Sequence, residues 1–123
     1  MLKDGNVIGF IPTVKPDLAR DFYTKVLGLR LESEDEFALV FTSGETSIRV
    51  VKVAEFKPFP FTIIGWHLSS PLQDSVHALT ERGVVFERYT WMQQDKLGIW
   101  EAPGGTRVAW FKDPDGNLLS LSS

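Results

Sequence analysis

Few side chains in this sequence could carry chemistry. Among 123 residues there are two histidines, His67 and His77, and no cysteine. Without cysteine there is no disulfide framework, no thiol catalysis and no thiolate-held zinc or iron–sulfur site. Two imidazoles leave little room for a histidine-rich metal centre. His67 neighbours Trp66 on one predicted strand and so points to the opposite face, and His77 falls mid-helix. Asp95, in the run Gln93-Gln94-Asp95, is the acid–base candidate, and Arg49 is the candidate to stabilise an oxyanion. Asp113-x-Asp115-Gly116 has two of the features of a calcium loop, but its glycine is fourth where an EF-hand needs it sixth, so it reads as a turn. Neither G-x-x-x-x-G-K-[ST] nor G-x-G-x-x-G occurs, and no Ser–His pairing is legible.

The bulk properties narrow the function classes further. The formal charge is −3, with 43% hydrophobic and 24% charged residues, in the range of soluble globular proteins. The absence of a basic run argues against a nucleic-acid partner. No stretch approaches the ~20 consecutive apolar residues of a membrane span, and residues 1–6 lack a signal-like apolar core. The expectation is a single cytoplasmic domain over 1–123 with no nucleic-acid or membrane partner.

These candidates must be placed by short elements. Val7 to Pro12 reads as a strand. Pro16 to Leu27 reads as a helix, with Ala19, Phe22, Tyr23, Val26 and Leu27 on one face and Gly28 as its stop. Strands follow over 29–33, 37–42 and 47–54. The series then repeats: a strand over 61–68, a helix opened by Ser70-Pro71-Leu72-Gln73 and ended by Gly83, and strands over 84–91, 98–102, 106–112 and 117–122. Val7-Ile8-Gly9-Phe10 is matched by Ile63-Ile64-Gly65-Trp66 at an offset of 56, while Pro16/Pro71 and Gly28/Gly83 match at 55. The chain thus reads as α+β, with two tandem βαβββ modules over 1–56 and 61–123. Their curved mixed sheets, paired through their open faces, form a cleft.

Ala19-Arg20-Asp21-Phe22-Tyr23-Thr24-Lys25-Val26-Leu27-Gly28-Leu29 resembles the A-x-x-F-Y-x-x-x-L-G-L signature of the vicinal oxygen chelate superfamily, which includes glyoxalase I, bleomycin-resistance proteins and extradiol dioxygenases. Phe111-Lys112-Asp113-Pro114-Asp115-Gly116-Asn117 resembles its F-x-D-P-D-G-N turn. The resemblance implies paired βαβββ modules, a ligand cleft and a homodimer, with modules pairing within one chain or across two. It also implies four metal-ligand positions, which fall here on Ile8, Ile64, Ser120 and Arg49 (or Ile48, one residue earlier). Aliphatic, cationic and neutral hydroxyl side chains are poor ligands for a divalent cation. The expectation is therefore no metal and no cofactor, and no metal-dependent glyoxalase, fosfomycin-transferase or extradiol-dioxygenase activity.

If Ile8 and Ile64 face the cleft, strand parity puts Phe10 and Trp66 beside them. Trp100 and Trp110, with Trp91 nearby, lie on or near strands of the second module. Phe10, Arg49, Trp66, Trp100, Trp110 and Ser120 then form an aromatic, partly polar site for a planar small organic molecule. The rival for Arg49 is a salt bridge to Glu32, Glu34, Glu36 or Glu45. The expected function is metal-free ligand binding of the bleomycin-resistance type. The alternatives are an enzyme of divergent chemistry (lyase, isomerase or transferase) using Asp95 and Arg49, and an interaction module without a ligand.

Overall fold

The computed structural model describes residues 1–123, which divide into two units, Met1–Lys57 and Pro58–Ser123. In the first, a short 3₁₀ turn (Leu2–Asp4) precedes β1 (Ile8–Thr13), α1 (Pro16–Asp21), β2 (Arg30–Glu34), β3 (Ala38–Ser43) and β4 (Thr46–Lys52). The sheet order is β1-β4-β3-β2, with β1 parallel to β4 and the other pairs antiparallel. Ile11, Leu39, Phe41, Ile48 and Val50 are buried on the face that carries α1. The Tyr23 ring, fully buried, meets Phe41 with ring centres 5.6 Å apart. Burial of each such side chain contributes about 1.5–3 kcal/mol.

The predicted helix over 16–27 widens after Asp21 into a π-helical turn, Phe22–Val26. Leu27 N–H donates to Phe22 O at 2.9 Å, and the Thr24 hydroxyl donates to Arg20 O at 2.6 Å. A hydroxyl occupying that carbonyl competes with the α-helical ladder at the point where the wider turn begins.

A charged network ties α1 to the sheet. Arg20 donates to both carboxylate oxygens of Glu34, at 2.7 and 2.6 Å, and to Asp17 at 3.1 Å. Lys52 reaches Glu34 at 2.9 Å from β4. The forked Arg20–Glu34 geometry suits guanidinium and carboxylate.

The second unit contains β5 (Ile64–His67), α2 (Leu72–Glu81), β6 (Trp100–Glu101), β7 (Arg107–Lys112) and β8 (Leu118–Ser122), in the sheet order β5-β8-β7-β6. β5 is parallel to β8 and the other pairs are antiparallel. Leu72, Val76 and Leu79 of α2 are buried, as are Ala109, Phe111, Leu119 and Leu121 of the sheet. Arg107 donates to Gln73 at 2.7 Å, which fixes the α2 side of β7. Asp113 fills the turn into β8: one oxygen accepts from Asp115 N and Asn117 N, the other from the Asn117 amide, all at 2.9 Å. The turn reading of this segment holds.

Two predicted elements are corrected. Residues 84–91 form no strand, and the strand expected over 98–102 is reduced to two residues. Glu87 N–H still donates to Trp110 O at 2.8 Å, so the segment runs beside β7 before leaving it. No helix is long and apolar enough to cross a membrane.

The network around Glu34 predicts a pH dependence. Hydrogen bonds from Arg20 and then Lys52 lower the Glu34 pKa from 4.5 to about 2. A depressed carboxylate stabilises the fold above its unfolded pKa, and that contribution fades as pH falls toward the folded value. Thermal melts should show wild type above Glu34→Gln at neutral pH, with the gap closing between pH 4.5 and about 2.

Candidate functional site

Side chains alternate across a strand, so the β5–β8 register decides which residues share a face. Ile64 pairs with Leu119, Gly65 with Ser120, Trp66 with Leu121 and His67 with Ser122. Leu119 and Leu121 are buried, so Ile64 and Trp66 lie on the α2 side. This corrects the expectation that Trp66 shares the face of Ser120. The helix-free face of β5 carries Gly65 and His67 instead. His67 Nδ1 lies 3.1 Å from Ser122 Oγ, a Ser–His pair that the sequence did not reveal. No carboxylate bonds to this imidazole. A side chain at position 65 would run into the Ser120 hydroxyl, so glycine there leaves room for that group.

Across the same face, Ser120 pairs with Trp110, Ser122 with Val108, and Val108 with Trp100. The indoles of Trp100 and Trp110 lie 6.0 Å apart, Tyr89 meets Trp110 edge-on at 5.7 Å, and Trp91 meets Tyr89 at 5.6 Å. These spacings are those of mutually packed aromatic rings. The face therefore has a polar half (Ser120, Ser122, His67) and an aromatic half (Trp100, Trp110, Tyr89, Trp91). Partial burial pushes the Tyr89 phenol above its ordinary pKa, with a smaller push from Glu87, so this ring stays a neutral hydroxyl at physiological pH.

The loop that carries Tyr89 and Trp91 is held by polar side chains. Gln94 Oε1 accepts from Tyr89 N at 2.8 Å, and Gln94 Nε2 donates to Glu87 O and Gly98 O, both at 2.9 Å. Asp95 accepts from Leu97 N and Ile99 N at 2.9 Å with one oxygen, and its other oxygen lies 3.7 Å from Arg107. One oxygen of the acid–base candidate thus braces the loop, and the other faces Arg107 of β7. Gly98 has φ +91°, and a Cβ there would stand 3.1 Å from Phe86 Cβ, so the loop closes only on glycine. An open depression of about 480 Å³, lined in part by Trp100, Gln94, Asp95 and Arg107, adjoins this loop.

In the first unit, Phe10, Arg49 and Val40 lie side by side across β1, β4 and β3, on the face away from α1. Phe10 is 63% exposed and Ile8, on the same face, 49%. Arg49 is half-buried and pairs with none of the four glutamates considered for it; Glu34 is bound to Arg20 and Lys52, and Glu32 to Arg30. Its charge acts on the Asp35 carboxyl. That carboxyl is held below its ordinary pKa first by the N–H groups of Ala38 and Phe37, with smaller help from Arg49 and Lys52.

The residues at the positions that the resemblance assigns to metal ligands do not suit a metal. Ile8 and Ile64 offer no donor atom, and Ile64 lies on the packed side of its sheet. Arg49 is a cation and Ser120 a neutral hydroxyl, where a divalent ion takes imidazole, carboxylate or water. No group of three or more His, Asp or Glu side chains converges elsewhere.

Two units, each a strand, a helix and three strands with the first strand parallel to the last, define a tandem βαβββ fold. The chain belongs to the Glyoxalase/Bleomycin resistance protein/Dioxygenase superfamily, whose family model matches residues 7–121. A superfamily member from Sphaerobacter thermophilus DSM 20745 is similar at 22% identity and TM-score 0.75, covering 99% of this chain and 98% of the other. Lactoylglutathione lyase from Agrobacterium tumefaciens is similar at 14% identity and TM-score 0.75, covering 97% and 92%. A glyoxalase family protein from Enterococcus faecalis is similar at 17% identity and TM-score 0.71, covering the whole of both chains. At these identities the likeness is one of fold. A comparison with curated proteins finds no match.

The Gly65–Ser120 approach predicts a local response. Gly65→Ala should turn Ser120 about χ1, read from its Hα–Hβ couplings, while urea stability changes by less than about 1 kcal/mol.

Proposed function

We propose that this protein binds a small organic molecule without a metal, in the manner of bleomycin-resistance proteins, and that the helix-free face of its second unit holds the ligand. The observation that carries this reading is the row of packed rings, Tyr89, Trp110 and Trp100, beside the hydroxyls of Ser120 and Ser122. Indole faces take flat molecules, and a few placed polar groups set their orientation. The ligand is a planar molecule with a polar group at one end: its ring lies over Trp110 and Trp100, its polar group reaches Ser120, Ser122 or His67. Asp95 is committed to the loop, which favours binding over acid–base turnover there.

Isothermal titration calorimetry with a panel of planar aromatic acids, amides and amines tests this. At least one compound should bind in a saturable way, unaffected by EDTA. Trp110→Ala and Trp100→Ala should each weaken it by about 1–2 kcal/mol, since stacking on one aromatic side chain is of that order. Trp66→Phe should leave affinity unchanged. Binding that requires added divalent metal, or that survives both Ala variants, contradicts the reading.

A further inference from the structure

We propose that Gln94 is a positioning residue for the ligand face: its amide holds Tyr89 and Trp91 as an extension of the Trp100–Trp110 pair. This rests on the ligand reading above and deepens it. Between Gly83 and Trp100 the chain has no strand ladder. Glu87 N–H to Trp110 O is the backbone bond that joins this stretch to β7. Beyond it the chain leaves the sheet, yet Tyr89 returns to place its ring 5.7 Å from Trp110. The side chain that bonds directly to this return is Gln94, which accepts from Tyr89 N and donates to Glu87 O and Gly98 O, while its backbone bridges to Trp100.

The chemistry selects glutamine. One acceptor must meet an N–H while two donors meet two carbonyls, and a primary amide supplies both. A glutamate would set oxygen against both carbonyls, and an asparagine is one methylene short. The far side of the loop is braced separately, by Arg88 donating to Asp95 O and Lys96 O and by Asp95 accepting from Leu97 N and Ile99 N. Those bonds shape the tip. Gln94 alone among the loop's side chains bonds the tip back to Tyr89 and Glu87. The result is an unusual surface: Trp91, 76% exposed, is packed on Tyr89 at the end of a braced loop. A large exposed ring held in place loses little freedom when a ligand stacks on it.

The test is a mutant cycle read by calorimetry with naphthoate as the planar probe, in the full chain. Gln94→Ala should weaken naphthoate about tenfold in the wild-type background. In a Tyr89→Ala/Trp91→Ala background it should weaken it less than about twofold, because the rings it positions are gone. A role limited to stability gives the same factor in both. Fluorine NMR of fluorotryptophan-labelled protein without ligand is the second readout. Gln94→Ala should move or broaden Trp91, with Trp66 unchanged; Trp100 faces Gln94 across a backbone bridge and is no control. Gln94→Glu should behave like Gln94→Ala. Equal factors in both backgrounds, no loss in the wild-type background, an unmoved Trp91, or all four tryptophans moving together would overturn the proposal. If wild type binds neither naphthoate nor any other compound of the planar panel, both the ligand reading and this role for Gln94 fail. If it binds through Trp110 but Trp91 is unmoved in Gln94→Ala, only the positioning role fails.

Discussion

The alternation of side chains across β5, combined with its pairing to β8, is the constraint on which the rest of the second unit depends. With Gly65 opposite Ser120, the strand turns Ile64 and Trp66 into the packing against α2 and leaves Gly65 and His67 on the other face. A slip of one residue would exchange these sets. The glycine leaves the Ser120 hydroxyl in its place, because a side chain at position 65 would need that space. The polar column, and the indoles of β7 and β6 beside it, follow from that pairing.

The aromatic half is built by different means. A strand edge would normally hold Tyr89 by a ladder of backbone bonds. Here the edge position beside β7 is shared between the 84–89 segment and the two residues of β6, and the residues between them fold outward. Backbone groups freed in this way must find partners. The amide of Gln94, the carboxylate of Asp95 and the guanidinium of Arg88 supply them. The loop is thus held by polar side chains and carries an exposed ring, Trp91, with Arg88 and Asp95 bonded to its backbone.

Much of this was legible in the sequence. Pro16 and Pro71, with Gly28 and Gly83, marked both helices and the repeat, and Asp113 to Asn117 marked the last turn, because proline, glycine and aspartate act through local backbone geometry. The face of β5 was not legible. Its strand has four residues, too few for a period, and the match of Val7-Ile8-Gly9-Phe10 to Ile63-Ile64-Gly65-Trp66 aligns glycine with glycine at an offset of 56, while the prolines set 55. The structure follows the prolines, which aligns Phe10 with Gly65 and Arg49 with Ser120. The β-rich composition of 84–91 predicted a strand because propensity does not register a competing side-chain network. Gln94 has no motif at all, and its role appears only when Glu87, Tyr89 and Gly98 are brought around it.

The superfamily's fold is retained here, and what stands on the helix-free face of the second unit is aromatic and hydroxylic. The most direct measurement of this account is a map of the four indole N–H resonances during titration with a planar aromatic ligand. The account predicts that Trp100 and Trp110 shift together and saturate, while Trp66, on the α2 side of β5, stays in place. A titration that moves Trp66 and leaves Trp100 and Trp110 unchanged would contradict it.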